Sequence, residues 1–245
     1  MTRDILSMAW KEWRELFQFG GGVRGGRLTL VLLLAVFGVF NPLMAGPEWV
    51  QSPGSMVYWG WVPLMLVAGA VADSFAGERE RHTLETLLAS RLPDRAILLG
   101  KILAAVAYGW VLVMGMLLLS LVTINIARRA WPPLLFPWRF AIGAPALAFL
   151  GAALAATAGV LVSLRASTVR QAAQTLNLGI MAIIFAPVLA VQALPAAWKS
   201  QLMAWSLSVG SDRALWSVAA ALALLDAGLL MAVFARFRRA RLILD

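Results

Sequence analysis

The chain has 245 residues, 61% of them hydrophobic and 13% charged, against roughly 45–50% apolar and about 25% charged in soluble domains. A soluble fold cannot bury that much apolar surface, so the class indicated is a polytopic membrane protein. The absence of cysteine and the single histidine, His82, exclude disulfides, thiolate chemistry and zinc sites built on two histidines, and a net charge of +9 is read as fixing orientation in a membrane rather than as binding nucleic acid.

The first element predicted is an amphipathic helix over DILSMAWKEWRELFQF, residues 4–19. Leu6, Trp10, Trp13 and Phe17 follow i, i+4, i+7, i+11 spacing, while Lys11, Glu12, Arg14, Glu15 and Gln18 fall largely on the other side, with Lys11 and Glu15 able to pair. Such a helix lies in the membrane interface, either as a mechanical elbow that also touches a partner or as a passive anchor. GGGVRGG, residues 20–26, reads as a hinge. The first long apolar run follows near Leu28 without a small-residue cleavage site, so it is expected to be retained as a span rather than removed as a signal peptide.

Six segments have the length and polarity of membrane-spanning helices: Leu28–Ala45, Met56–Ala76, Ile102–Ile124, Ala141–Ser163, Leu176–Leu194 and Ala214–Ala235. The expected fold is therefore all-α, a single transmembrane domain over 1–245 with residues 236–245 as a basic tail. An even number of spans puts both termini on one side. If that side is the cytoplasm, 16 of the 21 Lys and Arg residues lie inside and only Arg128, Arg129, Arg139, Lys199 and Arg213 lie outside, which satisfies the positive-inside rule. Asn41-Pro42 interrupts the first span and Pro187 the fifth. These positions do not correspond between the halves, which gives no sign of an inverted repeat.

The connections carry most of the polar character. Between the second and third spans, GERERHTLETLL (77–88) holds five charges in twelve residues. No helix breaker is evident from Glu78 to Arg91, and Leu84, Leu87 and Leu88 form one apolar stripe. Glu78 with Arg81, and Arg81 with Glu85, have helical pairing distances, and Pro93 ends the segment. A short cytoplasmic helix with a leucine face and a charged face suits docking on a soluble partner; the plainer reading is a solvated loop that only sets topology. On the outer side, RRAWPPLLFPWRF (128–140) cannot form a continuous helix, and its Trp131, Phe136, Trp138 and Phe140 suit the headgroup level. PAAWKSQLMAWSLSVGSD (195–212) has Trp198, Leu202 and Trp205 at helical spacing and predicts a short interfacial or re-entrant helix before the last span.

Within the spans, Asp226 is the residue that stands out, because an intramembrane carboxylate is expensive and is a functional candidate by default. It can line a route or be protonated between helices. Asp73 lies at the inner end of the second span. Asn41, Asn125, Asn177 and Gln192 suit helix–helix hydrogen bonds, and Gly151, Ala155 and Gly159 form a small-residue seam for close packing within or between chains.

Residues 76–101, AGERERHTLETLLASRLPDRAILLGK, resemble the signature of type-2 ABC transporter permeases. Glu78, Glu80, Thr83, Leu84, Glu85, Leu87, Leu88, Pro93, Gly100 and Lys101 match the family pattern, and His82 stands where that family usually has glycine. The six-span plan, the N-terminal amphipathic helix and the helical connection before the last span extend the likeness over the whole chain. The resemblance implies that the 77–92 segment is a coupling helix docked on a separate ABC ATPase subunit, with contacts from Glu78, Glu80, Arg81, Thr83, Leu84, Glu85, Leu87 and Leu88. It further implies an elbow helix carrying Trp10, Trp13 and Phe17, and a working unit of two permease chains, alike or different, with two ATPases that bind ATP and Mg. The residues agree that ATP is not bound here by a P-loop: the only Gly-Lys pair, Gly100-Lys101, has Arg95 and Ile102 where that motif needs glycine and Ser or Thr. Other classes remain open at this point. They are a secondary transporter using Asp226, a scaffold in a complex doing mechanical work, and an intramembrane protease using Glu78 and Glu80 with Arg81.

Overall fold

The computed structural model describes residues 1–19, 24–83, 89, 92–129, 131–209 and 211–237, and among these residues all regular structure is helical. Helix α1 (Thr2–Phe19) leads into α2 (Arg24–Ala35), which passes through a π-helical turn (Val36–Phe40) into α3 (Asn41–Ala45). After the short α4 (Glu48–Gln51) come α5 (Met56–Glu80), α6 (Asp94–Arg128), α7 (Trp138–Ser163), α8 (Val169–Ala193), α9 (Ala196–Val209) and α10 (Ser211–Arg236). Four of the described helices are long and apolar enough to cross a membrane: Tyr58–Glu80, Asp94–Arg128, Trp138–Ser163 and Arg213–Arg236.

Neither proline interruption expected from the sequence breaks its helix. Pro42 has no N–H for the carbonyl of Gly38, four residues earlier. The π turn absorbs the mismatch, with the Asn41 N–H bonding the Val36 carbonyl, and the Thr123 hydroxyl of α6 donates to the stranded Gly38 carbonyl at 2.9 Å. α8 likewise runs through position 187 to Ala193.

The centre of the bundle is the α5–α7 pair, and the small-residue seam lies inside it. A Cβ on Gly151 would stand 2.3 Å from the Gly60 carbonyl oxygen, and one on Gly159 would stand 2.6 Å from Val71 Cγ1. The two backbones therefore approach as only glycine allows, and this seam joins helices within one chain. α6 lies against α5 and α7, α8 packs on α5, and α10 packs on α7. One apolar cluster at the end carrying α1 gathers Met8, Phe75, Ile97, Leu98, Val233 and Phe237. A second, at the opposite end, gathers Phe37, Trp49, Trp59, Val113, Ile124 and Phe140. There Trp49 stacks on Tyr58 at 5.3 Å and meets Trp59 edge-on at 5.8 Å.

With 35 residues and a rise of about 1.5 Å each, α6 is about 52 Å long, well beyond the roughly 30 Å hydrocarbon layer. Its first two turns, including Gly100 and Lys101, meet α1. By contrast, α8 and α10 present Leu178, Met181, Phe185, Leu189, Leu224, Leu225 and Met231 outward, surface that is stable only against lipid or protein.

Candidate functional site

The polar chemistry concentrates at the end of the bundle that carries α1 and the 81–93 connection, called here the charged end. Lys101 is 4% exposed. Its Nζ donates to Glu12 Oε1 on α1 at 2.8 Å, to Glu78 Oε1 on α5 at 2.9 Å and to the Ser74 carbonyl at 2.9 Å. It also lies 5.2 Å from the centroid of the Phe75 ring. Three helices are thus joined through one ammonium group, and all three of its protons have acceptors. Gly100 makes the joint possible: a Cβ there would stand 2.6 Å from Met8 Cβ and 3.2 Å from the Ala9 nitrogen of α1. Gly-Lys at 100–101 therefore works as a seat and a bolt for α1.

This arrangement corrects three sequence expectations. Glu12 does not belong to the solvated face of α1; with Met8, four residues earlier, it forms a buried stripe against α6. Leu6 and Trp10, 63% and 62% exposed, point away from that contact, Trp13 is half-buried, and the side chain of Phe17 lies outside the described residues. Glu78 does not pair with Arg81, because it is turned inward to Lys101. Arg81 instead forks onto the Asp73 carboxylate, at 3.1 Å to Oδ1 and 3.2 Å to Oδ2. The predicted Lys11–Glu15 pair is present at 3.4 Å.

The third correction concerns where the connection begins. Glu78, Arg79 and Glu80 are the last turn of α5 rather than the start of a separate helix. α5 stops because His82 takes φ +55°. The His82 N–H bonds the Arg79 carbonyl at 3.1 Å and the Thr83 N–H bonds the Glu78 carbonyl at 2.9 Å, the paired bonds of a Schellman helix end, for which glycine is the favoured residue. Thr83 Oγ1 adds a 3.3 Å bond to the Glu78 carbonyl. A histidine pays in strain for a left-handed φ that glycine takes freely. His82→Gly is therefore expected to raise stability by about 1 kcal/mol, read as a higher melting temperature of the purified chain in detergent. Leu84, Glu85, Leu87 and Leu88 lie outside the described residues.

The same turn of α5 holds the connection between α7 and α8. The Arg79 guanidinium donates to the Leu164 carbonyl at 3.2 Å and to the Ala166 carbonyl. Glu80 Oε1 accepts the Val169 N–H at the start of α8 at 2.9 Å. Ser163 Oγ accepts the N–H groups of Phe75 and Ala76 at 3.0 and 2.9 Å and donates to the Ala72 carbonyl at 3.1 Å. Thus Glu78, Glu80, Arg81 and Thr83 come together at one helix end with Glu12 and Lys101 around them. Asp226 is not part of this assembly. It sits in α10, ten residues before Arg236, with both carboxylate oxygens buried and without a hydrogen-bond partner among the described residues.

A short helix end carrying Glu-Arg-Glu-Arg, a left-handed residue where the resembled family keeps glycine, and a Gly-Lys pair that seats the N-terminal helix are one constructed unit. The family model described as ABC-2 type transporter matches residues 4–207 of the chain. The chain belongs to the ABC-2 type transporter family. It is accordingly a multi-pass membrane protein, the permease part of an ABC transport system, and membership implies an ATPase partner for it. No curated protein matches the chain. The permease's own sequence signalled the importance of Lys101 only through its place in the family motif. Nothing in its local pattern named Glu12, 89 positions away in the chain, as its partner.

Proposed function

We propose that this permease is the membrane subunit of an ABC exporter, moving an unidentified substrate with energy from ATP and Mg bound on a separate ATPase subunit. In this reading the charged end faces the cytoplasm, both termini lie there, and the chain crosses the membrane six times. The α2–α3 stretch and the 25-residue α8 then supply the two crossings beyond the four longest apolar helices. Two permease chains, alike or different, complete the pore. The 81–93 connection, with Glu85 and the leucines Leu84, Leu87 and Leu88, docks on the ATPase. Leu6 and Trp10 of the elbow helix rest at the headgroup level.

The observation that carries this reading is the contrast at the end of α5. Glu78 is tied inward to Lys101 of α6 and Arg79 to the end of α7, whereas the side chains of Arg81, His82 and Thr83 are exposed. A connection held firmly at its base, with exposed side chains just beyond it, transmits a push from a soluble subunit into the bundle. The test is reconstitution in lipid vesicles with an ABC ATPase bearing a P-loop. The expected result is a stable complex whose ATP turnover depends on the permease. A chain that transports under an ion gradient without ATP, and loses that activity in Asp226→Asn, would support secondary transport instead.

A further inference from the structure

Two adjacent residues at the end of α5 make contacts of opposite sign on two different helix ends. Arg79 donates to the carbonyls of Leu164 and Ala166, where α7 finishes and its last acceptors lack helical partners. Glu80 accepts the N–H of Val169, where α8 begins and its first donors lack partners. Each charge thus matches the partial charge of the helix end it meets. The segment between them is itself braced: Thr168 Oγ1 accepts the Gln171 N–H at 3.1 Å, and Gln171 Oε1 accepts the Ser167 N–H at 3.1 Å and the Ser167 hydroxyl at 2.9 Å. Ser163 secures the other side through its three bonds to α5.

We propose that Arg79 and Glu80 are positioning residues that clasp the α7–α8 connection to the end of α5, so that displacement of the 81–93 connection is carried directly into α8. The proposal rests on the reading that the 81–93 connection receives the ATPase. It gives these two charges a role distinct from docking: they act inside the permease, on main-chain groups, and the partner never needs to touch them. Movement reaches α8 because the α7–α8 connection has no slack, being hydrogen-bonded at both ends and through its middle. α8 packs on α5 and α7 and presents an otherwise open apolar face, so it is free to shift when its N-terminus is pulled.

The two ways Glu80 can act predict different mutants. As a cap it needs only an acceptor oxygen, which glutamine keeps; as a charge facing a partner it needs the charge, which glutamine loses. In the permease–ATPase complex, a reporter Gln174→Cys, exposed in the first turns of α8 ahead of the predicted 176–194 span, is the only thiol of a chain that otherwise has none. Its rate of maleimide labelling is measured with and without ATP, Mg and vanadate. The expected result is that Glu80→Gln keeps the ATP-dependent change in labelling rate. Glu80→Ala and Arg79→Ala are expected to reduce it about tenfold, with the ATPase still bound, as loss of a charge-assisted bond allows. Hydrogen exchange on the isolated permease reports the clasp without the partner, with the Val169 amide about tenfold faster in Glu80→Ala and much less affected in Glu80→Gln, which keeps the acceptor and loses only the charge. An ATP response preserved in Glu80→Ala, or lost equally in Glu80→Gln, overturns the clasp. An absent ATP response in the parent complex, with Val169 exchange behaving as expected, overturns the docking reading and the transmission role with it while leaving the hydrogen bond itself in place.

Discussion

Lys101→Ala is expected to destabilise the permease by about 3–5 kcal/mol, the range seen when one partner of a buried charge assembly is removed. The wild-type ammonium has a bond to each of Glu12, Glu78 and the Ser74 carbonyl. Without it, two buried carboxylates from different helices keep only the half-exposed Lys11 ammonium, 3.8 Å from Glu12 Oε1, and Glu78 Oε2 already lacks a hydrogen-bond partner among the described residues. The chain relieves this only by protonating a carboxylate or by releasing α1 from α6. The expected observation is a large drop in the melting temperature of the purified protein and protease sensitivity near the N-terminus. Restoring charge balance in Lys101→Met with Glu12→Gln and Glu78→Gln should recover much of the loss, because neutral polar groups are far less costly to bury than unpaired charges. An unchanged melting temperature in Lys101→Ala would mean that α1 is held by Met8 packing alone.

Gly151→Val is expected to cost about 1–3 kcal/mol through overpacking. The obstacle is main chain: the new Cβ would meet the Gly60 carbonyl oxygen at 2.3 Å and Pro63 Cγ at 3.2 Å. No rotamer change relieves a clash with a carbonyl, so α5 and α7 must move apart and loosen the contacts that run on to Gly159 and Ser163. Gly115→Val in α6 is the matched control, since a Cβ there meets nothing within 4 Å, and its effect should stay within about 0.5 kcal/mol. Equal melting temperatures for the two variants would contradict the close α5–α7 contact.

These two residues also show what a sequence discloses and what it does not. The seam at Gly151, Ala155 and Gly159 was legible from spacing, but spacing names a face and not the helix that covers it. The apolar runs were legible because hydrocarbon demands length and composition, and α5, α6, α7 and α10 follow them closely. Local pairing rules failed at Arg81 and Glu78, since those rules see only neighbours three or four residues away. Arg81 found Asp73 eight residues back and Glu78 found Lys101, 23 positions further along the chain. Glu12 looked solvated because a glutamate normally is; only the approach of α6 at Gly100 makes burial tolerable, by delivering Lys101. Pro42 looked like a break, and the compensating hydroxyl of Thr123 lies too far along the chain for any local pattern to suggest it. His82 is a further miss: no helix breaker was evident from Glu78 to Arg91, yet α5 ends there with a positive φ at His82, where the resembled family usually has glycine.

The central claim is that a separate ATPase docks at the exposed tip beyond α5, at the charged end of this permease. The most direct measurement is photo-cross-linking in lipid vesicles from single cysteines carrying a maleimide-linked photoreactive group. One is placed at His82→Cys on the exposed tip, and one at Leu135→Cys, 71% exposed at the opposite end. The account predicts an adduct between position 82 and the ATPase and none from position 135. An intact complex that gives no adduct at 82, or gives as much from 135, would contradict it.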